Sequence, residues 1–177
     1  MTLAGSVRWA VVPYAPRPPF RLYAGESHSP VVVDDPQQLF AAARRGGDSE
    51  LTYLVSGKVR PVLVLNEPTE VLHREVTALR LLGLSKLPPA EQERVRRQDE
   101  PLLFHLDQGR FDLPEENAAM VSALVRMHVD AVDATTSLGQ LDENERRVLG
   151  ERMIGFYRFD TRLLIERRIR ELLERRR

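Results

Sequence analysis

Four histidines, His28, His73, His105 and His128, are the side chains of this chain best suited to moving protons near neutral pH. His28, His73 and His105 have no partner at metal-ligand spacing such as a helical i, i+4 pair, and there is no cysteine, so no metal site is expected. His128 alternates with apolar neighbours, which suits an acid or base and equally an outward-facing or hydrogen-bonded residue. Gly46-Gly47 leads into Asp48 rather than Gly-Lys, and no Gly-x-Ser-x-Gly turn is present, which argues against P-loop nucleotide hydrolysis and a serine-hydrolase elbow. From Thr161 onward seven arginines face three glutamates. That basic stretch could meet nucleic-acid phosphates, but its Ile165, Ile169, Leu172 and Leu173 suit packing on its own domain or on a twin subunit.

The elements that must position such residues follow from composition and punctuation. With 177 residues, 42% hydrophobic and 29% charged, the chain has the balance of one folded domain with additions. Twenty-six basic residues against 26 acidic ones leave no net charge, so any nucleic-acid contact must be local. Absence of cysteine suits a reducing compartment, no apolar run approaches the roughly 18 residues of a spanning helix, and the start carries no export signal; a cytoplasmic protein without a membrane partner is expected.

Val7 to Val12 reads as a first strand, stopped by Pro13. Beyond the prolines at 16, 18 and 19, the runs Phe20 to Ala24 and Val31 to Val33 can pair as strands. An aspartate cap before Pro36 predicts a helix over 36–45, ended by Gly46-Gly47. Strands are expected at Leu51 to Val55, Val59 to Leu65, Glu75 to Ser85 and Leu102 to Leu106, with a loop or short exposed helix over 91–100. Asn117 to Val132 is ambiguous: its apolar spacings of three and four favour helix, whereas its β-branched residues favour strand. Asp142 with Glu145 forms a capping-box pattern that opens a helix, and a second amphipathic stretch runs from Arg162 to Arg177.

Three segments, taken in order, resemble the PemK/MazF family of toxin-antitoxin endoribonucleases: Gly5-Ser6-Val7-Arg8-Trp9, then Arg60-Pro61-Val62-Leu63-Val64, then Val132-Asp133 followed by Leu138-Gly139-Gln140-Leu141. The resemblance spans about two-thirds of the chain. It implies an α+β, mainly β fold, an SH3-like β-barrel over 1–160, from which this sequence departs by an insertion at about 16–57 that carries the expected helix after the first strand and by a C-terminal helical extension over 161–177. It also implies that the segment near Val121 to Val129 is strand.

The function so implied is metal-independent cleavage of single-stranded RNA by a cytoplasmic homodimeric toxin that a small antitoxin silences, with no cofactor. The alternative is a barrel of the same superfamily that has lost catalysis and serves as a protein-binding or regulatory module. In the first reading the ribose 2′-hydroxyl attacks the adjacent phosphorus while protein groups carry protons and offset the added charge. The resemblance gives that last task to Arg60, whose guanidinium offers paired donors to phosphate, although a surface arginine beside a turn is the plainer reading. It puts Ser85 where the family has a threonine, and Met127-His128 where the family has an Asp-Gln pair, leaving His128 as the proton carrier. Arg8, Lys58 and Lys86 are the expected RNA contacts.

Overall fold

The computed structural model describes residues 2–14, 20–23, 31–35, 37 and 52–157. Nine strands result: β1 (Ser6–Pro13), β2 (Phe20–Tyr23), β3 (Val31–Val33), β4 (Thr52–Tyr53), β5 (Gly57–Val64), β6 (Glu75–Gly83), β7 (Leu103–Leu106), β8 (Asn117–His128) and β9 (Gly139–Gln140). Among the described residues two α-helices accompany them, α1 (Pro89–Arg96) and α2 (Glu143–Tyr157). The chain is therefore α+β and mainly β. Of the helix expected over 36–45 only Gln37 is among the described residues, and the extension over 161–177 lies outside them.

The described residues within Met1–Ala10 and Pro61–Arg177 form one compact unit, and those within Val11–Arg60 form another. The second contains a three-stranded sheet in the order β3-β2-β4, in which Phe20 pairs with Val33 and Leu22 with Tyr53. The larger sheet has six strands in the order β7-β8-β6-β5-β1-β9. Its registers within the first unit are antiparallel: Val62 opposite Arg80, Glu75 opposite His128, Gly83 opposite Asn117, and Phe104 opposite Ala119.

Strand alternation builds the core of that first unit. Val7, Leu63, Leu79, Phe104, Leu106 and Val121 are buried together, and α2 adds Leu149 with the partly buried Val148 and Met153. Asn66, which ends β5, accepts from Thr77 N at 2.6 Å, so its side chain takes over where the β5–β6 ladder stops.

The start of α2 is the reciprocal box that the spacing predicts. Glu145 N donates to Asp142 Oδ1 and Asp142 N donates to Glu145 Oε2, each at 2.8 Å. Asp142→Ala should therefore cost about 1 kcal/mol of stability, measured as a lower urea midpoint with unchanged slope. No loss would mean that Arg110, which also reaches Asp142 and Glu145, holds this end alone.

Candidate functional site

Arg60 sits on β5 in the second unit, half-buried, with its Nε enclosed and no hydrogen-bond partner among the described residues. Lys58, two residues earlier, is exposed.

Ser85 and Lys86 lie in a single 3₁₀ turn, Leu84–Lys86, that follows β6, and both are exposed. The Ser85 hydroxyl donates to Glu115 Oε2 at 2.5 Å. Glycine at 83 makes this possible, because the Glu115 carboxylate occupies the space that a Cβ on residue 83 would fill. The Glu115 carboxylate thus lies within the hydrogen-bond reach of Ser85 that a proton transfer between them would require.

His128 closes β8 at the other end of the ladder. Glu75 stands opposite His128 whereas Gly83 stands opposite Asn117. At about 3.3 Å per residue, the strand between them spans roughly 26 Å. The structure therefore does not bring His128 to Ser85. The Nδ1 of His128 lies 3.3 Å from Asp130 N and 3.3 Å from Asp130 Oδ2, so it meets the amide as an acceptor when neutral and the carboxylate when protonated.

Arg8 corrects an expectation. Rather than facing RNA it is fully buried, and Nε donates to Ser6 Oγ at 2.9 Å while Nη1 donates to Asp133 O at 3.0 Å and Thr136 O at 3.4 Å. Every alternate residue of β1 near it points inward, and the chain returns past it through Asp133 N to Trp9 O and Leu138 N to Val7 O. Arg8 ties these two stretches together from inside.

A second ionic cluster has no counterpart in the sequence reading. Arg96 of α1 grips both oxygens of Glu116 at 2.7 to 3.1 Å, and His105 Nε2 of β7 lies 2.7 Å from Glu116 Oε1. The Arg96 guanidinium, aided by His105, holds the Glu116 carboxyl below its ordinary range in spite of partial burial. Glu115 and Glu116 look in sequence like a solvated acidic pair after Pro114. Their partners are 30 and 20 residues away, so only the fold reveals them. Among the described residues no group of histidines and carboxylates is arranged to hold a metal ion, and no helix is long and apolar enough to cross a membrane.

No protein-family profile matches the sequence, and no curated protein does. Among solved structures the chain is similar to the Mycobacterium tuberculosis toxin MazF-mt6, at 17% identity and a TM-score of 0.42, over 58% of this chain and 90% of that one.

Proposed function

We propose that this chain is a metal-independent endoribonuclease toxin that cuts single-stranded RNA as a cytoplasmic homodimer and is silenced by a small antitoxin. One observation carries the reading. Residues of the three stretches that resemble the PemK/MazF family, far apart in sequence, meet within the first unit: Gly5 N donates to Val64 O at 2.7 Å, Leu141 N to Gly5 O at 2.8 Å, and Leu138 N to Val7 O at 2.9 Å. A resemblance by chance has no reason to select two distant segments that both bond to the same opening strand.

In the proposed reaction a base removes the 2′-hydroxyl proton, the resulting oxygen attacks phosphorus, and the 5′-oxygen of the next nucleotide leaves with a proton. The products are a 2′,3′-cyclic phosphate and a 5′-hydroxyl end. Arg60 is assigned the charge on the phosphoryl oxygens, Ser85 the positioning hydrogen bond, and Glu115, in place of His128, the proton. Lys58 and Lys86 are assigned to the RNA backbone.

The rival is a binding module of the same superfamily, which the separation of Ser85 from His128 favours. Expression of wild type and Arg60→Ala separates the two. The enzyme reading expects growth arrest with cleaved transcripts bearing cyclic phosphate ends, and a fall of about 100-fold or more in cleavage for the variant. Arrest with intact RNA would leave the binding module.

A further inference from the structure

Arginine donors enclosed by protein are ordinarily matched to acceptors, because a charged donor kept from water and left unpartnered is costly. The first unit obeys this at two of its arginines. Arg8 is satisfied by Ser6, Asp133 and Thr136. Arg152 of α2 donates to the carbonyls of Gln98, Glu100 and Leu103 at 2.6 to 3.1 Å, with its guanidinium 5.5 Å from the Phe104 ring centre. Arg80 breaks the pattern: its Nε is enclosed and has no partner among the described residues.

Its place in the fold explains why. Arg80 stands opposite Val62 on β5, so the two share a face of the sheet with Val64 and Ala78, all three fully buried. On its other side the β6–β8 ladder opens at this residue. Leu79 pairs with Leu124 but Leu81 pairs with Ala119, so Arg80 alone spans residues 120–123 of β8, and Met120 there pairs with Leu103 of β7. Such irregularities re-aim a side chain. Arg80 as a whole is only half-buried, and a long side chain whose stem shares a face with buried Val62, Val64 and Ala78 can carry its outer nitrogens toward solvent.

We propose that Arg80 is a phosphodiester contact, its guanidinium taking a non-bridging phosphate oxygen of single-stranded RNA. The inference rests on the ribonuclease reading and adds to it a substrate contact on β6. The ligand class follows from the donor: a fixed, permanently charged N–H fork with no carboxylate of its own fits an oxyanion better than any neutral group.

The test uses the full chain and a single-stranded RNA whose 2′-hydroxyls are methylated, so that binding is read without cleavage. Arg80→Gln should bind at least tenfold more weakly in fluorescence anisotropy, and the slope of log K against log salt should fall by about 0.7, one phosphate contact on a single strand. Arg80→Lys should keep the slope while recovering only part of the affinity. Independently of any variant, the Arg80 Nε–H resonance of wild type should shift on titration with the same RNA. Equal affinity and slope in Arg80→Gln, or an unmoved resonance in wild type that binds RNA, overturns the Arg80 contact and leaves the ribonuclease reading standing. Wild type that neither binds nor cleaves RNA overturns the ribonuclease reading and the contact with it.

Discussion

Arg8→Met is expected to lower the free energy of unfolding by about 3 kcal/mol. Methionine roughly fills the arginine stem's volume, so the loss isolates the polar head. That head donates three hydrogen bonds, to Ser6 Oγ, Asp133 O and Thr136 O. Bonds from a charged donor are worth roughly 1.5–3 kcal/mol each, but the desolvation of a fully buried guanidinium offsets part of the sum. The variant also leaves two carbonyls in the 133–136 stretch without their donor, at the place where the chain returns along β1. Urea denaturation should show a lower midpoint at unchanged slope. RNA binding per folded molecule should stay within twofold of wild type. A stable variant that bound RNA poorly would restore the RNA-contacting role expected from sequence.

Local features were legible from sequence because their causes lie within a few residues. The box at Asp142 and Glu145, the stop at Pro13 and the end of β5 at Asn66 each depend on neighbours that a linear reading can see. Asn117 to Val132 was harder for a physical reason. β8 keeps period-two alternation from Ala119 to His128, with the odd-numbered residues inward, but its start at Asn117 to Ala119 is paired on both edges, to β6 and to β7, and buried at every residue. Apolar Ala118 is buried there on the even phase and apolar Leu124 lies exposed on the outward face, and these two, set among the inward residues, produce the spacings of three and four that imitate a helix. What settled it as strand was the resemblance, not the periodicity.

The site was legible in the opposite proportion. Ser85 and Arg60 could be singled out only by aligning motifs, and neither carries a local signature of chemistry. Glu115 was invisible because its pairing with Ser85 joins the exit of β6 to the entry of β8 across 30 residues, and because its pose depends on a glycine at 83. Arg8 was misread for a related reason. An arginine alternating with Val7 and Trp9 looks outward-facing, and only acceptors 125 and 128 residues away make its burial tolerable.

Gly139 turns a motif into a steric requirement. The Leu-Gly-x-Leu stretch buries Leu138 and Leu141 and pairs Gly139 with Val7 of β1. Gly139 has φ +150°, and the ring of Phe111, itself buried in the core, lies where a Cβ would stand, with Cε1 and Cγ only 3.0 and 3.1 Å from it. Alanine there must both adopt a backbone conformation that side chains avoid and displace an aromatic ring that the close-packed core holds. Gly139→Ala should cost about 3 kcal/mol, the sum of backbone strain and overpacking. The contribution of the ring is separable by a double-mutant cycle. Phe111→Leu withdraws the colliding atoms, so Gly139→Ala in that background should cost at least about 1 kcal/mol less than in wild type. If the two losses simply add, the glycine is required by its backbone angle alone, and the approach of Phe111 plays no part in the closing of the sheet at β9.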